Sequence, residues 1–538
     1  MTLRCLIFIC LLFPSSTFAQ VWPKIYGGNT ANWCQGLLET YDKGYLIAVQ
    51  VDPGSSVPQM YAWLIKADIN GNQLWSKTIS SNAYAVSFNG LDNTSDGGFI
   101  VTGVTSKLDP ANYDIIFMKF NSCGEKEWCN ILSTPGNDDY GIKIKQVSGG
   151  YIALCDYYKN QATQPIWLIK LGLSGDIIWQ QSYLDSNTYG LNEFAYDFQV
   201  CSDSSFIISG DGYFLPKEKK TWFLMPLFIK ASSDGMQQWV LPYGQNNGFR
   251  GDIPQCPSEN QAGFFYSTGR HFRQTAPYGD SPCFLKVSPT GQGVYYKDLI
   301  TNSISGGSTT LNLHNDDSLF ISAAWQDVNN TENIGIFKLD TVGNITITKL
   351  LLQNKMYNIR SATFVYNDKY LASGNFNTDS SSTKIYLYKF NLNLDYAPLD
   401  TQPQLYDSLC PHQIISDTTN LDDCAIITNV DDPFRNPEKF NLAVYPNPAR
   451  DKLTIEIPGK LARKTGSGAM QITTIYHQWD KASLEIYDLS GKLVFSKEIN
   501  KQTERVDLNV GTWQTGMYAA RLVFMNSIVA EAKFVVER

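Results

Sequence analysis

The stretch Trp63-Leu64-Ile65-Lys66-Ala67-Asp68-Ile69-Asn70-Gly71-Asn72-Gln73-Leu74-Trp75 decides how this chain is read, because it returns. Aligned on its lysine, it recurs at Lys119, Lys170, Lys230, Lys286, Lys338 and Lys389, a period of roughly 50 to 60 residues that marks a repeat architecture. Five residues after the lysine stands glycine, at Gly71, Gly124, Gly175, Gly235, Gly291 and Gly343; Leu394 takes that place in the seventh copy. Nine residues after it stand Trp75, Trp128, Trp179, Trp239, Tyr295 and Ile347, then Pro398. Two apolar residues precede the lysine, as in Phe117-Met118 and Phe284-Leu285.

Each copy reads as a hairpin. Apolar and β-branched runs suit strands, and the glycine between them suits a positive-φ turn position. A second turn signal lies upstream in each repeat, as in Asp42-Lys43-Gly44-Tyr45, Asp96-Gly97-Gly98-Phe99 and Gly149-Gly150-Tyr151. It separates one strand-like run (Ile142 to Val147) from another (Tyr45 to Val51, Phe99 to Thr102). Each repeat therefore holds four short strands, and no long amphipathic helix is present. A lone four-stranded sheet cannot bury both faces, so neighbouring sheets must cover it. The expected fold is all-β, a seven-bladed β-propeller over residues 20–397, with the bulky ninth position packing between blades. Trp22 and Tyr26 are spaced like Trp179 and Tyr183 at the end of a repeat, and the seventh copy lacks this last strand. Residues 22–27 are expected to supply it and close the ring, which removes open sheet edges.

Outside the repeats, residues 1–19 read as a signal peptide. Arg4 is its charged start, Leu6 to Phe13 its apolar run and Thr17-Phe18-Ala19 its small-residue cleavage site. No later segment is long and apolar enough for a transmembrane helix. The net charge of −8 comes without a basic stripe, which argues against nucleic acid as a partner. Of 11 cysteines, Cys5 and Cys10 leave with the leader. In an oxidising compartment, Cys123 and Cys129 are placed to bridge the hairpin of the second repeat, and Cys410 and Cys424 to staple the stretch between them. Cys34, Cys155, Cys201, Cys256 and Cys283 cannot be paired by spacing. Residues 398–438 hold Pro398, Pro403, Pro411, Pro433 and Pro437 among many Asp, Asn and Thr, and read as an inter-domain linker.

Residues 439–538 alternate strands and turns and suggest a small Ig-like β-sandwich. The residues Tyr445-Pro446-Asn447-Pro448, Asp488 with Gly491-Lys492, Gly516 with Tyr518, and Lys533-Phe534-Val535-Val536 carry a specific pattern. With them the tail resembles the type A C-terminal sorting domain of the type IX secretion system of Bacteroidetes. The stretch Gly459 to Lys481 is longer than the usual spacing and is expected to form a surface loop. The resemblance implies export across the outer membrane of a Gram-negative Bacteroidetes bacterium, to the cell surface or beyond, with the secretion machinery as a partner. The repeats likewise resemble those of exported Bacteroidetes propellers, a likeness that brings no catalytic motif.

No catalytic, cofactor or metal site is expected from the residues. His271, His314, His412 and His477 are scattered, which supplies neither a metal triad nor a Ser-His-Asp arrangement. Asp138-Asp139, Asp316-Asp317 and Asp422-Asp423 are weighed as calcium holders but sit in turn-like segments, where Asp is common for backbone reasons. The lysine row is weighed as the lining of an anion-binding channel but reads as strand-end lysines paired with a local carboxylate or covering apolar surface. The tryptophan row is weighed as a stacking platform for sugars but reads as blade-packing core. Departures from the repeat are the better guide to a site, because binding residues sit on loops over a rigid scaffold. The fourth repeat carries Lys217, Lys219, Lys220 and Trp222, and the fifth carries Arg270, His271, Arg273 and Tyr278. These are the candidate ligand-binding residues of a monomeric binding module for a glycan or protein. The competing class is a glycan-cleaving hydrolase or lyase.

Overall fold

The computed structural model describes residues 22–54, 60–134, 138–157, 166–183, 189–214, 223–242, 253–273, 276–351, 356–377, 382–428, 440–457, 461–464, 470–473, 482–488, 492–499, 503–524 and 527–537. The chain divides into two compact units, Met1–Asp431 and Asp432–Arg538.

The first unit is the seven-bladed propeller. Blade 1 is Ala31–Glu39, Tyr45–Asp52, Tyr61–Ala67 and Gln73–Ile79, four antiparallel strands paired in sequence order. Blades 2 to 6 repeat this plan over Val86–Ser133, Asp139–Tyr183, Tyr189–Pro242, Ile253–Asp298 and Ser303–Leu350. Blade 7 has three strands between Met356 and Phe390, and its fourth is Lys24–Tyr26, with Lys24 opposite Leu387 and Tyr26 opposite Ile385. The first strands of successive blades adjoin one another all the way round, so they are the inner wall of the ring.

The repeated residues explain one end of this ring. In the turn between the third and fourth strands, Asp68 Oδ1 accepts the N–H groups of Asn70 (2.9 Å) and Asn72 (2.7 Å). Gly71 there has φ +76°. The seventh copy manages with Leu394 at φ 62°, a conformation that costs a residue with a Cβ. In blades 1 to 6 each lysine lies opposite the ninth-position residue in the fourth strand, as in Lys66↔Trp75 and Lys170↔Trp179, with a β-bulge directly after it. The tryptophans pack between blades, Trp75 buried and Trp128, Trp179 and Trp239 half-buried. A Cβ on Gly175 would stand 2.8 Å from Trp128 of the preceding blade, and one on Gly235 2.7 Å from Trp179. The closing strand obeys the same rule, with Trp22 beside Gly71 of blade 1. Tyr26 donates to Gly71 O at 2.7 Å, as Tyr183 donates to Gly235 O at 2.7 Å. The ring is closed by a strand that reproduces an ordinary blade junction.

Residues 398–428 correct two expectations. They do not form a free linker but a strap along blades 1 and 2. Tyr406 accepts the N–H of Ile69 at 2.9 Å, and Asp407 accepts from Trp75 Nε1 at 3.1 Å. Asp417–Thr419 then runs parallel to the fourth strand of blade 1, and Ala425–Thr428 parallel to that of blade 2. The disulfides are Cys123–Cys410 and Cys129–Cys424, not the local pairs the spacing suggested. Cys123 and Cys129 are joined to the strap because it lies across the hairpin they flank. Cys34, Cys155, Cys201, Cys256 and Cys283 are not in disulfides.

The second unit is a β-sandwich. One sheet runs Phe440–Asn441, Ser527–Val536, Gly516–Phe524, Ala482–Asp488, Leu493–Ile499, and the other Ala443–Tyr445, Lys452–Glu456, Arg505–Asn509. Leu453, Ile455, Leu484, Ile486, Val506, Leu522 and Phe534 fill the space between them. The stretch expected as a plain surface loop carries a hairpin, Leu461–Lys464 against Met470–Thr473.

Candidate functional site

The two ends of the ring differ in what their side chains do. At the end carrying the glycine turns, charges are engaged. Asp42 Oδ1 accepts from Gly44 N (3.1 Å), Thr40 Oγ1 (2.6 Å) and Lys66 Nζ (2.6 Å). Asp96 and Lys119 (2.8 Å) repeat the arrangement in blade 2, and Asp203 and Lys230 (3.6 Å) in blade 4. Elsewhere in the row Lys170 donates to Ser148 O, and Lys286 lies 4.6 Å over the Phe264 ring. The lysines thus serve local carboxylates, carbonyls and rings rather than an anion channel. Near this end, between blades 4 and 7, an open cavity of about 400 Å³ is lined by polar groups such as Gln199, Glu259, Asn312 and Asp316. Those carboxylates are occupied too: Glu259 accepts from Ser202 N at 2.7 Å and Asp316 from Gln261 N at 2.8 Å.

The opposite end carries the connections between second and third strands and between blades. Its chemistry starts at one position of the second strand, five or six residues after the residue that opens it: Gln50, Val104, Asp156, Asp211, Arg270, Ala324 and Asn375. Polar residues there meet a β-bulge present in the first strand of every blade, at Cys34/Gly36, Phe88/Gly90, Gly141/Lys143, Ala195/Asp197, Gln255/Ser258, Ser308/Thr310 and Ile359/Ser361. A bulge turns a backbone N–H out of the ladder, and the neighbouring blade receives it. Asn375 Oδ1 accepts from Cys34 N at 3.0 Å, and Asp156 Oδ1 from Ala195 N at 3.0 Å. In the other direction Asn89 donates to Gly141 O at 2.9 Å, and Thr309 to Ile359 O. A belt of side-chain-to-backbone hydrogen bonds therefore joins blades 2 to 3, 3 to 4, 6 to 7 and 7 to 1 along the inner wall.

Blades 3 to 5 load this belt with ionisable groups. Burial pushes the Asp156 carboxyl up to about 8, against the N–H it accepts. Burial likewise lifts Asp211 to about 7, with Tyr196 and Arg270 pulling it back down. Tyr196 donates to Asp211 Oδ2 at 3.1 Å, and Asp211 is 1% exposed. On blade 5, Arg270 Nη1 lies 3.5 Å from Asp280, whose carboxyl burial also raises. His271 Nδ1 lies 2.6 Å from Asp298 Oδ1, its ring edge-on to Tyr296.

The sequence candidates are placed as follows. Lys217, Lys219, Lys220 and Trp222 lie outside the described residues. Arg270, His271 and Arg273 are not on a loop but on the second strand of blade 5, Phe265–Arg273. Arg273 is buried, its guanidinium donating to Ile300 O (3.1 Å) and Ser303 O, so it holds the junction between blades 5 and 6. Tyr278 precedes the third strand and is 68% exposed. Arg270 and His271 thus join Tyr196, Asp211 and Asp280, which sequence reasoning did not select. The signal was present: a charged residue at a position otherwise read as the middle of an apolar strand, visible only with the repeats aligned on their second strands.

In the tail, Asn447 accepts from Val535 N at 2.9 Å and Ala449 N donates to Val535 O at 2.8 Å, so the Tyr445–Pro448 segment is fastened to the last strand. Tyr445 donates to Glu456 at 2.7 Å. Tyr518 follows Gly516 and stacks on Phe534, with its hydroxyl on Gln514 O at 2.8 Å. Gly491 lies outside the described residues.

Residues 443–537 match the model of the secretion system C-terminal sorting domain. The tail is therefore a type IX sorting domain, and the protein is exported to the cell surface or secreted by that route. No curated protein matches the chain in sequence. Among solved structures, the chain is similar to a protein of unknown function from Dyadobacter fermentans DSM 18053, at 10% identity and TM-score 0.38, over 68% of this chain and 97% of that one. It is also similar to a PL25 ulvan lyase, at 9% identity and TM-score 0.46, over 68% and 95%. A third is the polysaccharide lyase Uly1, at 6% identity and TM-score 0.42, over 66% and 90%.

Proposed function

We propose that the propeller is a binding module acting at or beyond the cell surface, and that it takes its ligand at the connection end of blades 4 and 5. The observation that carries this is what each end presents. The turn end pairs its charges with local carboxylates, carbonyls and rings. At the other end Arg270, Asp280 and Tyr196 are half-buried beside exposed Tyr278, a set of donors, acceptors and a ring face suited to a hydroxyl-rich glycan chain. A protein ligand would use the same groups.

A second reading, a glycan-cleaving enzyme, is favoured by the Tyr196–Asp211 pair. A carboxyl that titrates near 7 and touches a phenol at 3.1 Å can hold and pass a proton at neutral pH.

The test is a screen of the full chain against polysaccharide and host-protein arrays, repeated with Arg270→Ala and Tyr278→Ala. Binding lost by about tenfold or more in both variants supports the module and places its face. Binding untouched by both refutes this location. Release of unsaturated or reducing sugar ends, abolished by Asp211→Asn, replaces the binder by the enzyme.

A further inference from the structure

Cys123 stands in the turn between the third and fourth strands of blade 2, and Cys410 on the strap above it. Two residues beyond Cys410 is His412, 53% exposed in its side chain, with Nε2 3.2 Å from Glu125 Oε1 of the same turn. A carboxylate only accepts, so Nε2 donates in this contact. Nδ1 lies 3.8 Å from Cys410 Sγ and 3.4 Å from Gln413 O, both acceptors while the disulfide stands; once an ion takes the Nδ1 lone pair, the ring keeps its proton on Nε2 against Glu125. The two sulfurs and a ring nitrogen of His412 all lie within 4.8 Å of one another. A tetrahedral zinc ion with bonds of about 2.3 Å to sulfur and about 2.0 Å to nitrogen needs donor separations of about 3.5–3.8 Å. The Cys410 sulfur lies 3.8 Å from Nδ1, within about 0.3 Å of the sulfur–nitrogen separation required, and the sulfur pair can open to its own separation once its bond is broken. The carboxylate behind the imidazole is the outer partner that orients a metal-binding histidine. Among the described residues no comparable group of ligands accompanies Cys129–Cys424.

We infer that Cys123, Cys410 and His412 form a site for a soft divalent cation, zinc by chemistry, in the dithiol state of the protein. A thiol or phosphine reductant supplies two electrons, and two protons from solvent complete the conversion of the S–S bond to two thiols. The thiol leaves as its own disulfide, or the phosphine as its oxide with oxygen from water. Binding the cation releases both protons, and the two thiolates neutralise its charge. His412 is the third ligand, Glu125 positions it, and the fourth place faces solvent. Blade 2 thus has two ways to hold the strap, covalent when oxidised and through the ion when reduced.

Cobalt(II) titration of the phosphine-reduced full chain tests this. The expected result is one equivalent bound with a sulfur-to-cobalt band in the near ultraviolet, and no band for the oxidised chain. His412→Ala should weaken binding by at least about tenfold and Glu125→Gln by about 10-fold or more. Cys129→Ser/Cys424→Ser should leave the band in place. His412→Ala leaves both disulfides to form during folding, so the comparison does not depend on the cysteine variants. A band of equal strength and affinity in His412→Ala, or one that persists in Cys410→Ser, overturns the proposal.

Discussion

The two ends of the propeller are made from the same strands, yet they obey different rules. At the turn end a lysine recurs in all seven repeats and a glycine in six, at fixed offsets, with an Asx side chain in four of the turns. At the connection end only the bulge belt recurs, and what fills it changes from glutamine to aspartate to arginine. The difference teaches where constraint lies. Turns that must fit under the tryptophan of the preceding blade cannot vary, whereas connections that face outward can carry whatever chemistry a ligand requires.

That contrast can be broken most severely at a turn glycine. Gly175→Val forces a Cβ to within 2.8 Å of Trp128 at φ +85°. Strain and overpacking together should cost about 3–5 kcal/mol in denaturant unfolding. A loss below about 1 kcal/mol would show that the blades are not locked through this contact.

Lys66→Met comes next, because it strands the buried Asp42 carboxylate. The single variant should lose about 3 kcal/mol or more, and Lys66→Met/Asp42→Asn should recover much of it. Equal losses in the single and the double variant would mean that the pair itself does not carry the effect.

A smaller effect is expected from the belt, and it depends on pH. Asp156 titrates near 8 in the fold, above the ordinary aspartate value. The native state therefore keeps a proton that the unfolded chain has released. Its contribution is full below about pH 4 and is lost as pH rises toward 8. Asp211 acts with the same sign. Asp156→Asn preserves the acceptor for Ala195 N, so its Tm should gain on the parent progressively from pH 5 to 8. A constant gap across that range would refute the buried-acid account.

The smallest effect is the sharpest discriminator. Tyr278→Ala at the connection end should change stability by no more than about 0.5 kcal/mol while reducing ligand capture. A large loss of stability would erase the distinction between the two ends.

Much of the ring was legible in the chain because its rule is periodic. Lys66, Gly71 and Trp75 form a local set, and their offsets survive since each blade must cover the next. Closure by residues 22–27 was readable for the same reason, Trp22 and Tyr26 repeating the spacing of Trp179 and Tyr183. The strap was not. Its partners lie about three hundred residues away, across 287 and 295 positions for the two disulfides, and its proline-rich composition is that of a linker. The corner of blades 4 and 5 was half legible. Arg270 stood out as an irregularity, but Asp211 and Tyr196 become neighbours only through strand pairing, and Arg273 looked like a surface charge until the carbonyls it holds were in place.

The strap also decides how the protein answers tension. A pull on the chain beyond residue 428 enters blade 2 through Cys424–Cys129. The Ala425–Thr428 strand pairs in parallel with the fourth strand of blade 2, so a pull directed along that strand loads several hydrogen bonds at once instead of peeling them singly. Behind the two crosslinks, the path back to blade 7 stays slack. An exported protein held by its tail against flow would thus be loaded on its second blade, while the seam where the ring closes carries no force.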